Sequence, residues 1–258
     1  MPGTLDAEIR KSLGLPGVVV GAALAVVVPV GIAALSAFSL RSALDSGRTG
    51  SLVTTSTVDS GFGELGMGVV GAAILGVVIV SSEYTANRVR AGGGRQVTTT
   101  LTATPHRLRV LAAKLTVLTA LVALLAAVAV PLTLTTSGFL LGDHAQPYGA
   151  DHPARAVGAG LYWLLTAWLA FGITLLTRSG IVPLVVIVAN TSLVSVTYLL
   201  ARSVPAARFL PDVAGAQMFA REYHAPDMLD PVTGGLVMAA WAVALLAVAG
   251  AVFVRRDA

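Results

Sequence analysis

The sequence predicts an all-α polytopic membrane protein built as one domain over residues 1–258, and three observations predict it. Hydrophobic residues make up 55% of the chain and charged residues only 12%, where a soluble domain carries roughly 25% charged residues. Six apolar runs, near 17–40, 65–82, 115–137, 156–177, 181–201 and 233–254, each suit a helix crossing the bilayer. Between these runs the charges sort by sign into alternate connections.

The chain opens with MPGTLDAEIRKSLGLPG, where Thr4 offers a helix cap and Leu5, Ile9 and Leu13 recur every fourth residue with charges opposite. The pattern predicts an interfacial amphipathic helix, its apolar stripe towards lipid and its charges in water, ended by Gly14 and Pro16. No small-residue cleavage signal follows the first apolar run, which is therefore expected to remain as a span. That span carries a GxxxG pair, Gly17 and Gly21, and Pro29 at its middle. Arg41 to Glu64, rich in Ser, Thr and Gly, reads as an external loop before the glycine-rich second span.

A basic passage from Ser81 to Lys114 leads into the third span, which Pro131 is expected to interrupt. An acidic loop with Asp143, His144, Asp151 and His152 precedes the fourth span, and Arg178-Ser179-Gly180 turns the chain into the fifth. Asn190 and Thr191 lie near the middle of the fifth span, where a polar side chain either bonds across helices or faces a path. Arg202 to Asp230 forms a second external segment, and Arg255-Arg256 stop the sixth span.

Charge orients the arrangement. With both termini inside, eleven Lys and Arg are internal (Arg10, Lys11, Arg88, Arg90, Arg95, Arg107, Arg109, Lys114, Arg178, Arg255, Arg256) and six external, while acids divide four to nine the other way. Basic connections stay in the cytoplasm, so the expected topology is N-in and C-in with six transmembrane helices.

Several function classes lose support at this point. Basic residues held on one side of a membrane have a topological cause, so no nucleic-acid partner is expected. No acid or base falls deep within a span, whereas ion-coupled carriers and charged filters need one there. Zero cysteines leave no thiolate metal site or thiol nucleophile. The Asp-His pairs and His224 are too loosely spaced to read as a zinc site, and solvated loop residues fit them better. AGGGRQVTTT lacks the lysine of a phosphate loop, and no serine elbow marks a hydrolase. No cofactor, metal or catalytic residue is expected in this chain.

The passage between the second and third spans is the most specific stretch. Six of the chain's Lys and Arg stand there against one acid, Glu83. After Glu83-Tyr84 comes a polar piece, and then Thr100, Leu101, Thr104, Pro105, Arg107, Leu111 and Lys114 mark a T-L-x-x-T-P-x-R-x-x-x-L-x-x-K run. This pattern resembles the ABC-2 type permease family, whose first cytoplasmic loop carries a Glu soon after the second helix and a similar run before the third. The amphipathic start, the six spans and the Pro-containing external segment resemble it too, while VRAGGGRQ, residues 89–96, stands as an apparent insertion.

The resemblance implies a permease subunit of a bacterial plasma-membrane exporter, paired with a second permease copy and driven by a separate ATPase chain that holds ATP and Mg. It implies a cytoplasmic coupling helix that meets the ATPase, involving Glu83, Tyr84, Gln96, Thr98, Thr100, Leu101, Thr104, Pro105, Arg107 and Arg109. It also implies an external lid from Leu210 to Ala220, including Leu210, Pro211 and Phe219, and a hydrophobic or amphipathic solute moved outwards. A reading from another class is a non-transporting scaffold or immunity-type subunit that binds a partner protein and moves nothing.

Overall fold

The computed structural model describes residues 2–47, 57, 59–84, 107–147, 149–191, 196–221 and 228–255. The described residues are helical, with no strand among them. In chain order they form α1 (Pro2–Leu13), α2 (Pro16–Asp45), α3 (Phe62–Leu65), α4 (Val69–Ser81), α5 (Arg107–Leu141), α6 (His152–Thr177), α7 (Ile181–Thr191), α8 (Val196–Ser203), α9 (Pro211–Ala216) and α10 (Pro231–Arg255). Short 3-10 turns, Gly66–Gly68, Gly142–His144 and Pro205–Phe209, fill gaps between them.

Five helical stretches are long and apolar enough to cross a membrane: Pro16–Asp45, Phe62–Ser81, Arg107–His144, His152–Thr177 and Pro231–Arg255. The expected fifth span, 181–201, is divided between α7 and α8, and residues 192–195 lie outside the described residues. Eleven residues in α7 and eight in α8 reach about 16 and 12 Å at 1.5 Å per residue, so neither alone spans a bilayer. Asn190 and Thr191 fall in the last turn of α7.

Two expectations about proline and helix length need correcting. Pro131 does not interrupt the third span, because α5 runs unbroken from Arg107 to Leu141. Proline removes one backbone donor, but a helix in lipid can re-satisfy freed groups locally. Arg41 likewise lies within α2, which continues past Pro29 to Asp45 instead of giving way to a loop at Arg41.

The bundle has two ends. At one end α1 lies beside the start of α2, the end of α4, the start of α5, the α6–α7 turn and the end of α10; the end of α2, α3, the end of α5, the start of α6, residues 205–221 and the start of α10 occupy the other. Helices α4 and α6 pack together in the middle, α2 covers α4 and α5, and α10 closes on α6. Trp163, Phe62, Phe171, Leu65, Leu75 and Ile79 are fully buried there, and Trp163 Nε1 donates to the Leu65 carbonyl at 2.8 Å. Burying an indole requires such a partner for its N–H.

Large apolar side chains also cover the outside: Val27, Leu35 and Phe38 on α2, Leu124 and Phe139 on α5, Val232 and Leu236 on α10. A chain apolar both within and without suits a hydrocarbon solvent, where small residues rather than large ones mark the helix contacts. On α2 the buried positions are Val18, Gly21, Ala25, Pro29, Ala33, Ala37 and Leu40. A Cβ on Gly71 of α4 would collide with the backbone of Gly21 and Ala25. Glycine at that point lets the two backbones touch.

Candidate functional site

The charged residues at the α1 end do not simply face outward. Glu8 and Lys11 stand one turn apart on α1 and so share a face. Glu83 follows the last turn of α4, its N–H bonded to the Val80 carbonyl at 3.1 Å. Lys114 lies in the second turn of α5. These four side chains meet. Lys114 Nζ donates to Glu8 Oε2 and lies equally near Glu83 Oε1, both at 2.7 Å, while Lys11 Nζ donates to Glu83 Oε1.

Two acids and two bases cancel within the cluster. Lys114, Glu8 and Glu83 have side chains only 6–7% exposed, and Lys11 25%. Such burial is costly for isolated charges and tolerable only because each finds an opposite partner. The α4 dipole gives no help to Glu83, because a carboxylate past a helix C-terminus faces a partial charge of its own sign. Glu83 therefore holds its position because of Lys114 and of α1.

Burial pushes the Glu83 carboxyl up, but Lys114 and Lys11 outweigh it and hold its pKa below the ordinary 4.5. Glu83 is thus a carboxylate at neutral pH. The burial of Glu8 corrects the expectation that the charges of α1 lie in water. Asp6 and Arg10 do, paired at 3.1 Å, whereas Glu8 and Ser12 turn inward. Ile9 and Leu13 stay exposed on the apolar stripe.

Further contacts tie the same end together. Arg178, in the left-handed conformation at φ 54° that ends α6, places its guanidinium 5.7 Å from the centre of the Tyr84 ring. Arg107 Nη1 donates to the Phe253 carbonyl in the last turn of α10 at 3.1 Å, satisfying a group the helix leaves open. Arg109 is exposed. Glu83, Tyr84 and Arg107 are thereby brought to one end of the bundle, at either edge of residues 85–106. Gln96, Thr98, Thr100, Leu101, Thr104 and Pro105 lie outside the described residues.

No protein-family model, curated protein or solved structure matches the chain.

At the opposite end the segment read as a lid is an inward-packed piece. Leu210 and Pro211 are half-buried, whereas Val213, Ala214, Gly215, Gln217, Met218, Phe219 and Ala220 are buried, with α9 set between α6 and α10. Glycine makes this seat possible, since a Cβ on Gly158 of α6 would strike the Met218 carbonyl and one on Gly234 of α10 the Ala214 carbonyl. His144 pairs with Asp45 at 2.7 Å, and His152 stacks edge-on against Phe62 with ring centres 5.2 Å apart. Among the described residues no group of three His, Cys, Asp or Glu is placed to hold a metal ion, and His224 lies outside them.

Glu8, Lys11 and Arg155 are functional candidates that the sequence pattern did not single out. A trace was available for the first two. A polar pair at i, i+3 on an amphipathic helix beside a basic connection is suited to meet an acid and a base from neighbouring helix ends.

Proposed function

We propose that this chain is the membrane subunit of an ATP-driven exporter, working beside a second copy or a similar subunit and powered by a separate ATPase chain. It moves a hydrophobic or amphipathic solute outwards. The α1 end faces the cytoplasm, the fifth apolar run completes a sixth span, and residues 85–106 carry the helix that meets the ATPase. The observation that carries this reading is the buried cluster of Glu8, Lys11, Glu83 and Lys114.

The physical argument is one of force transmission. Residues 85–106 connect the end of α4 to the start of α5, and Glu83 and Lys114 clamp those two ends to each other and to α1. A push delivered anywhere between them is then shared by both helices instead of being lost in bending at either flank. Because α4 packs on α6 and α5 on α2, the displacement reaches the centre of the bundle. Nucleotide chemistry stays on the partner, which supplies the push when two ATPase subunits close on ATP and Mg.

The test is flux in vesicles containing the chain and the ATPase that co-purifies with it, with a fluorescent amphipathic dye and a fluorescent short-chain phospholipid as probes. ATP-dependent flux that falls in Glu83→Ala and Pro105→Ala, with ATPase binding retained, is the expected result. Flux that is absent in the parent, or unchanged in both variants, removes the exporter reading and leaves the scaffold one.

A further inference from the structure

Arg155 stands in the first turn of α6, with only 6% of the residue exposed. Its Nε donates to the Phe219 carbonyl at 2.8 Å, its Nη2 to Asp59 Oδ1 at 2.7 Å, and its guanidinium carbon lies 3.9 Å from the centre of the Phe62 ring. One side chain therefore joins three parts of the chain: the turn at 59–62, α6, and the segment that follows α9. Nη1 is buried and has no hydrogen-bond partner among the described residues.

We propose that Arg155 is a positioning residue that latches residues 205–221 shut across the outer end of the bundle, and that releasing it exposes the buried face of that segment. The outward placement rests on the exporter reading above; the latch itself rests on the contacts. A buried ion pair seldom holds two elements together better than an apolar contact would. What a guanidinium adds is an all-or-none geometry, because its fixed fork serves the carbonyl and the carboxylate at once only when both are in place.

Besides the apolar packing of Met218, Phe219 and Ala220, the segment has polar ties on the surface and near its beginning. Arg221 pairs with Asp151 on the surface, with side chains 51% and 40% exposed, where such a pair is screened and contributes little. Trp241 Nε1 donates to the Phe209 carbonyl at 2.9 Å, and Thr197 pairs with Asp212. These hold the beginning of the segment, so loss of the Arg155 contacts frees its end first. Phe219 then leaves the face of Tyr162, 5.2 Å from it between ring centres, and the 218–220 backbone opens to water.

The chain contains no cysteine, so one introduced thiol reports position without background. Ala220, 1% exposed beside Phe219, becomes the reporter as Ala220→Cys, and exposed Gln146 becomes the reference as Gln146→Cys. The full chain is reconstituted in vesicles of determined orientation, without ATPase, and treated with a membrane-impermeant maleimide from the outer side. The latch predicts slow labelling of Ala220→Cys, accelerated about tenfold or more in Arg155→Ala and in Asp59→Asn, as loss of a charge-assisted buried hydrogen bond requires. Arg155→Lys falls between, since an ammonium reaches one partner and not both.

Unchanged labelling in both Arg155→Ala and Asp59→Asn overturns the latch. Should Arg155→Ala fail to fold, Asp59→Asn decides alone, since Asp59 is on a turn and its side chain is 23% exposed. Labelling of Gln146→Cys from the inner side only overturns the outward placement and the proposal with it. Absence of ATP-driven flux with the labelling difference intact removes the exporter reading and supports the latch.

Discussion

Lys114 and Glu83 face each other at 2.7 Å across the two edges of residues 85–106. Glu83 follows α4 and Lys114 is on α5, they are both buried, and Glu83 sits past a helix C-terminus, where the dipole disfavours its charge. Their pairing is a long-range constraint that closes the connection between α4 and α5 at its base.

That constraint predicts strong coupling between the two side chains. Removing one partner leaves an uncompensated buried charge and costs about 3 kcal/mol. Glu83→Gln and Lys114→Met are each expected to lower the thermal unfolding midpoint in detergent, and the double variant to recover part of the loss. Glu8→Gln should act in the same direction as Glu83→Gln, because the same ammonium loses a partner. Strictly additive effects in the cycle would show that the pair is not coupled.

Glu83 also sets a pH dependence whose sign follows from its surroundings. Burial raises its pKa, and Lys114 and Lys11 lower it by more, so that the folded value lies below the ordinary 4.5. The unfolded chain then takes up a proton before the folded one does. The stability contributed by Glu83 is complete above about pH 4.5 and is lost as pH falls through the folded value. Thermal midpoints measured downward from pH 7 should fall more steeply below pH 5 in the parent than in Glu83→Gln, and parallel curves would count against the assignment.

How much of this could be read from the chain differs by level. The helical membrane class was legible in composition, because a bilayer crossing leaves a long apolar run whatever the packing. Five of the six expected spans correspond to helices long enough to cross. Helix faces were less legible, since α2 is apolar all round and only the recurrence of Gly21, Ala25, Ala33 and Ala37 marks its buried side. Pro131 misled because proline ends helices in water, whereas α5 continues through it.

The buried cluster was half legible. Glu83 stood out as the single acid in a basic passage, but Glu8 read as a solvated residue on an amphipathic helix. Its partner Lys114 lies more than a hundred residues away, and pairings at that distance leave no local pattern. Arg155 was hidden for a similar reason. At the start of a helix beside an acidic loop it looks like an ordinary flanking charge, and only the position of Phe219 gives it a second partner.

Backbone contact between α2 and α4 yields a prediction about glycine. At Gly71 a methyl group would meet the backbone of Ala25 and Gly21, which cannot turn aside as a flexible side chain would. Gly71→Ala should separate the two helices and cost about 1–3 kcal/mol through overpacking. At Gly31, on the exposed face of α2, nothing lies within 4 Å of an added methyl. Gly31→Ala is expected to be neutral or slightly stabilising, since alanine is the better helix former. Equal midpoints for the two variants would mean that the α2–α4 contact is looser than described.

The sidedness of the bundle decides which of its two charged ends an energy source in the cytoplasm can reach. Basic residues outnumber acids among the described residues of the α1 end, and the exporter reading puts that end in the cytoplasm, as the positive-inside rule would. Gly3 in α1 is exposed with nothing within 4 Å of an added Cβ, and Gln146 is exposed in the α5–α6 connection. In intact cells an impermeant maleimide should label Gln146→Cys and spare Gly3→Cys until the membrane is opened. The reverse pattern would put the Glu8–Lys11–Glu83–Lys114 cluster outside. Residues 85–106 would then be out of reach of any cytoplasmic ATPase, and the outward latch at Arg155 would fall with the exporter reading.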